Sequence, residues 1–287
     1  MKLFGKKLAL LLVFALLLST CLFTLSACDD KDDDDDDEET VEVLDSINGK
    51  TPQEAYTALI SQTNSATNVE ISADQKIDMN MSAQGMTIQQ SMNQNIFYQI
   101  NGSSHYMKMV SETTGMSPSE QLMEAWYVNG VCYSHIKGTD VSEVKAKATI
   151  DLDEFAAQYG SSASDTFPEI DAELLEDLKF TKKGNKCYAE FTVTGAQVEE
   201  MVGSMIEDSM GVDCQFGAMT YKIFFNEQGE VTGYEQNFTF SFQIEAEGTV
   251  IDTTATAKTI ATVKFGTVGA INPPADASSY VDATGRL

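Results

Sequence analysis

The chain has 287 residues, 44 acidic and 18 basic side chains, and a formal net charge of −26. Nucleic-acid binding needs a basic patch, and docking of a folded body on an anionic bilayer needs clustered cations, so this balance argues against both. A hydrophobic content of 43% is enough for a sizeable core and excludes disorder as the state of the whole chain.

In chain order, the first segment follows the plan of a secretory leader. Lys2, Lys6 and Lys7 form a basic start, Leu8 to Leu18 is an unbroken apolar run, and small residues lead to Leu25-Ser26-Ala27-Cys28. The last four residues resemble the bacterial lipobox. That resemblance implies a leader over residues 1–27 and lipidation of Cys28, which takes a diacylglyceryl group and palmitate-type acyl chains. It also implies residence on the outer, extracytoplasmic face of the cell membrane. An uncleaved span is the other reading, since Leu8 to Leu25 approaches the ~20 residues a helix needs to cross. Ser19, Thr20 and Thr24 interrupt it, and Leu18-Ser19-Thr20-Cys21 is the poorer box because threonine stands where a smaller residue is expected.

Asp29-Asp30-Lys31, Asp32 to Asp37, Glu38 and Glu39 follow. Such a run repels itself and buries nothing, so residues 28–50 read as a lipidated cysteine and a disordered acidic tether. Without the leader's three lysines, 15 basic residues face 44 acidic ones, a net charge of −29. Calcium loops also use aspartates, but they need a glycine at the turn, and this run has none.

Residues 51–287 read as a single α+β domain, with a loose tail from about residue 272 after Pro273-Pro274. Thr51-Pro52-Gln53-Glu54 carries a helix start with a capping box. Two long strands then alternate, with Val69, Ile71, Ala73, Ile77, Met79 and Met81 on one and Met86, Ile88, Met92, Ile96, Tyr98 and Ile100 on the other. A turn at Gln84-Gly85 sets Met81 against Ile88, Ile77 against Met92 and Ile71 against Tyr98, with all the apolar residues on one face. Asn129-Gly130 marks a second hairpin, Met123–Val128 with Val131–Lys137. Asp151–Tyr159 and Pro168–Leu178 read as helices, and a hairpin around Gly184 follows. Thr194-Gly195-Ala196-Gln197 is another capping box, opening a helix with Val198, Met201, Val202, Met205 and Ile206 on one stripe. Finally, a turn at Glu247-Gly248 sets Phe242 against Thr253, Phe240 against Ala255 and Phe238 against Ala257. Strands of this length must twist and curl. The expected fold is therefore a long, strongly curved antiparallel sheet, a half-open β-barrel, packed against a few amphipathic helices.

The lipobox at Cys28, the helix at Thr51, the hairpin Val69–Ile100, the Trp126–Gly130 hairpin and the Pro273-Pro274 ending together resemble the LolA and LppX/LprG-like lipoproteins. Lipoproteins of Gram-positive bacteria share this plan. The resemblance implies a concave apolar surface that holds acyl chains in some members. The anchor and acidic tether depart from the freely shuttling carriers.

No nucleophile elbow, P-loop, dinucleotide fingerprint or zinc-protease motif occurs, so neither an enzyme nor a cofactor is expected. His135 faces Glu124 and reads as a surface pair. Cys132, Cys187 and Cys214 read mainly as small apolar fillers, with a Cys132–Cys187 bridge as the alternative. Bulky Phe238 and Phe240 opposite small Ala255 and Ala257, with Met79, Met81, Met201 and Met205, outline a space that either the helix Val198–Ile206 fills or a hydrophobic or lipid-like ligand occupies. His105, Met107 and Met109 on one strand face give the alternative of a Cu(I)-binding lipoprotein. A surface interaction module without a small ligand is the third reading.

Overall fold

A computed structural model describes residues 41–47, 49–83, 85–115, 118–139, 141–159, 175–184, 186–200, 214–226, 230–246 and 249–284. The strands are β1 (Val41–Leu44), β2 (Asn68–Ala83), β3 (Met86–Asn101), β4 (Ser104–Thr114), β5 (Ser119–Val128), β6 (Val131–Gly138) and β7 (Val144–Thr149). They continue with β8 (Glu176–Lys183), β9 (Lys186–Val193), β10 (Cys214–Phe216), β11 (Met219–Phe225), β12 (Val231–Ala246), β13 (Thr249–Phe265) and β14 (Val281–Asp282). The described α-helices are α1 (Pro52–Asn64), α2 (Leu152–Tyr159) and the short α3 (Gly195–Val198).

All fourteen strands belong to one open sheet, in the order β1-β8-β9-β11-β12-β13-β2-β3-β4-β5-β6-β7-β14, with β10 also paired to β12. The pairing is antiparallel throughout except for β14 on β7, which makes the sheet mixed. The four central strands run 16 or 17 residues. At ~3.3 Å per residue they are about 50 Å long, whereas the 13 residues of α1 cover ~20 Å. Helix packing is thus a minor part of the described structure: α1 lies on β8, α2 on β5 and α3 on β10.

Alternation decides which face is buried. Val69, Ile71, Ala73, Ile77, Met79 and Met81 of β2 are buried, while Ser72, Asp74, Lys76 and Asn80 between them are exposed. The two long hairpins adopt the expected registers, Ala83 with Met86 and Ile77 with Met92, then Phe240 with Ala255 and Phe238 with Ala257. A shift by one residue would turn either strand's apolar set outward. The Asn129-Gly130 turn has φ values of 53° and 78°, the left-handed pair that a two-residue hairpin needs. Both capping boxes form: Thr51 Oγ1 accepts from the Glu54 amide while the Thr51 amide donates to Glu54 Oε2, and Thr194 and Gln197 do the same.

Three expectations change. Residues 41–44, assigned to the tether, form β1 on the edge strand β8, with Glu42 opposite Lys182; Val41 and Val43 favour strand once an edge is available to pair with. The end of the expected Pro168–Leu178 helix is strand β8, where Leu178 and Phe180 are buried; the rest of that expectation lies outside the described residues. The tail from 272 is not loose. It includes a 3-10 turn at Ala277–Ser279 and β14, and Tyr280 is buried edge-on against Trp126 and Tyr133.

Candidate functional site

The inner face contains no buried Asp, Glu, Lys or Arg among the described residues. Its apolar lining includes the expected ligand residues that are described. Phe238 and Phe240 stack at 5.5 Å, and Phe240 stacks on Phe242 at 6.1 Å. Ala257 lies between Phe238 and Ile77, and Ala255 between Phe240 and Met79. Met81 pairs with Thr253 in the next row. Six of the eight expected residues are thereby brought into neighbouring rows on three adjacent strands, β12, β13 and β2. Met201, Met205 and the lipidation residue Cys28 lie outside the described residues.

Crossing this apolar face is a row that the composition of the strands conceals. Tyr221 of β11 pairs with Gln236 of β12, Gln236 with Thr259 of β13, Thr259 with Gln75 of β2, Gln75 with Gln94 of β3, and Gln94 with Ser111 of β4. Gln121 of β5 continues the row beside Ser111. Gln236, Thr259, Gln75, Gln94 and Ser111 are only 1, 3, 3, 1 and 5% exposed. From Gln236 to Ser111 the row crosses four strand spacings, about 19 Å.

The amide ends of this row are half satisfied. Gln75 Nε2 donates to Thr259 Oγ1 at 3.2 Å, Gln236 Nε2 to Tyr221 Oη at 3.0 Å and Met219 Sδ at 2.8 Å, and Gln94 Nε2 to Met109 Sδ at 3.7 Å. The carbonyl oxygens of Gln75, Gln94 and Gln236 have no hydrogen-bond partner, nor does Thr253 Oγ1 nearer the hairpin tips. Turning an amide over exchanges its two ends and still leaves one unmet. An unmet buried polar group costs roughly 1–3 kcal/mol, so three such amides together take a large share of the 5–15 kcal/mol that ordinarily holds a domain folded.

Farther along the same face, six residues from Ser111 on β4, His105 and the phenol of Tyr98 are hydrogen-bonded through Nδ1. The His105 ring also meets Tyr127 and Phe155 edge-on at 6.3 and 5.9 Å. Burial lowers its pKa to about 4, so the imidazole is neutral at pH 7. Burial likewise raises the Tyr221 and Tyr234 phenols and lifts the Cys132 thiol to about 11. The interior is therefore uncharged as well as largely apolar.

His105, Met107 and Met109 share the inner face of β4, all buried. They are not gathered around a point. Four residues of extended strand separate His105 from Met109 by ~13 Å, whereas bonds from a metal to nitrogen or sulfur are ~2.0–2.3 Å. Side chains stand roughly perpendicular to the sheet, and Tyr98 and Gln94 already engage His105 and Met109. A single Cu(I) held by all three does not fit this strand. Among the described residues no group of three His, Cys, Asp or Glu side chains could hold an ion either. Cys132 and Cys187 are free thiols, so the Cys132–Cys187 bridge is not formed.

The His135–Glu124 pair forms on the outer face, with Nδ1 to Oε2 at 3.2 Å, and His135 Nε2 also reaches Glu143 at 3.0 Å. Lys145 joins Glu143 to Asp276, which pins the C-terminal segment. This is a surface network that fastens the tail.

Sequence reading passed over the glutamines, although a signal was present. The apolar alternation skips Gln75 on one strand and Gln94 on the next, and the Gln84-Gly85 turn already places those two gaps opposite each other. In the same way the Glu247-Gly248 turn places Gln236 opposite Thr259. Paired interruptions in a buried face carry more information than single ones.

No family model and no curated protein matches the chain. Among solved structures, the chain is similar to the ywiB protein of Bacillus subtilis at 8% identity, over 66% of this chain and 92% of that one, with a TM-score of 0.20. It is similar to a DUF1329 family protein of Desulfovibrio piger at 9% identity, over 76% and 93%, with a TM-score of 0.22.

Proposed function

We propose that this chain is an exported, lipid-anchored lipoprotein that binds a hydrophobic or lipid-like ligand against the inner face of its sheet, without catalysis. The observation that carries this reading is the extent of the uncharged face. It runs the length of four strands of 16 or 17 residues, far beyond the span of the described helices. Ligand sites are mostly apolar concavities with a few polar groups, and a long sheet with one apolar face curls to make one. The half-barrel of the LolA and LppX/LprG-like lipoproteins is the arrangement this reading adopts. The lipobox at Cys28 and the acidic run after it support the address, with the tether ending near residue 40 where β1 begins. No helix among the described residues is long and apolar enough to cross a membrane.

Native mass spectrometry of the purified full chain tests the reading. A bound apolar species of discrete mass, released by organic solvent, is expected. A ligand-free spectrum that stays so after incubation with membrane lipid extract would overturn it.

A further inference from the structure

The row of glutamines narrows the ligand, on the premise that the inner face is the binding site. An apolar chain alone would be served best by an apolar wall, because each amide placed there lacks a partner for one end. The row contradicts that economy at three positions in register, Gln236, Gln75 and Gln94, linked through Thr259. The atoms left wholly without a partner are the carbonyl oxygens, and at Gln94 and Gln236 that orientation follows from the methionine sulfur, an acceptor only, which the NH2 end faces. The N–H ends of Gln75 and Gln236 are engaged by protein oxygens, and that of Gln94 rests on a thioether, a weak acceptor.

We propose that this row is the polar subsite for an uncharged amphiphile whose hydrogen-bond donors, hydroxyls or secondary amides, sit along an apolar chain. The chain lies on the Phe238–Phe240–Ala255–Ala257 side, and its donors meet Gln75, Gln94 and Gln236 in the row alongside. A carboxylate fits badly. It brings a charge and only acceptors, the wholly unpartnered atoms of the row are acceptors, and no buried lysine, arginine or protonated histidine stands among the described residues to receive it. A bare hydrocarbon fills the apolar part but leaves the carbonyls unmet.

Competition binding with the purified, delipidated full chain at pH 7.5 tests this. The probes are four pyrene-labelled chains of matched length: a hydrocarbon, a carboxylic acid, a primary alcohol and a secondary amide. The alcohol and amide should bind at least about tenfold more tightly than the hydrocarbon and the acid, since a made hydrogen bond contributes on this scale. Gln75→Leu and Gln94→Leu should each erase that preference while leaving hydrocarbon binding unchanged or tighter. Both variants should fold, because each removes an unmet amide; Gln75→Met serves if leucine does not fit. Equal binding of alcohol and hydrocarbon by the parent would overturn the subsite and leave apolar binding standing. Tightest binding of the acid would also overturn it. Failure of all four probes would overturn both this inference and the ligand-binding reading beneath it.

Discussion

Lowering the pH should weaken the fold through His105, and the size of the effect follows from its surroundings. The ring is buried against Tyr98, Tyr127 and Phe155, and its pKa falls from 6.5 to about 4 because burial disfavours the imidazolium. Burial, and then the nearby Asp151 and Asp153, raise the phenol of Tyr127, so it does not ionise in the acid range. Between the two His105 values the unfolded chain holds a proton that the folded chain does not. Stability is therefore fully present above pH 6.5 and is lost as the pH falls toward 4. At 1.36 kcal/mol per pH unit, the loss from this one group is about 3 kcal/mol. His105→Gln keeps a neutral partner for Tyr98 and removes the titration. Urea unfolding from pH 7.5 to 4.0 should show a fall in the parent that is about 3 kcal/mol larger than in the variant, with most of the difference between pH 6 and 4.5. Parallel pH profiles would refute the assignment of a buried, neutral imidazole.

Cys28→Ala should abolish labelling by an alkyne fatty acid in growing cells, because the thiol is the acyl acceptor at the box; unchanged labelling would remove the anchor. Thr51→Ala deletes the side-chain half of the α1 capping box and should cost about 1 kcal/mol in urea unfolding, with Glu54→Gln costing less because its amide can still accept from the Thr51 backbone. Ala257→Leu places a larger side chain between Phe238 and Ile77 and should expel co-purified lipid. A loss of about 1–3 kcal/mol with no lipid in the parent would instead identify a tight core there.

The long hairpins were legible because a turn residue and a period-2 pattern determine a register jointly. Gly85 sits at φ 78°, and the alternating apolar residues of β2 and β3 then fall on one face, with Phe97 on the other beside Tyr106. The capping boxes were legible because their hydrogen bonds join residues three apart. What was missed depends on partners distant in sequence. The four residues of β1 have no reason to be a strand until the edge of β8 is offered to them. The C-terminal segment looked loose because two prolines end the alternation, yet Tyr280 finds Trp126 and Tyr133 more than 140 residues upstream. The site was half legible. The phenylalanine and alanine rows follow from the hairpin, whereas the glutamine row runs across strands and becomes visible only when the two registers are joined through the β13–β2 pairing.

The charge of the chain and the uncharged interior bear on the proposed ligand in different ways. A formal net charge of −26 gives the chain an excess of negative side chains. With a Debye length of ~8 Å at physiological salt, the field slows anionic amphiphiles on approach without reaching far into bulk solvent. On the proposed reading, rejection of charge inside would rest on desolvation, because a carboxylate there would lose its water and meet no buried cation among the described residues. The two effects act in the same direction but respond differently to conditions: salt screens the first and leaves the second intact. If the proposed subsite holds, a preference against acids that persists at high salt would point to the glutamine row, and one that salt abolishes would point to the acidity of the surface.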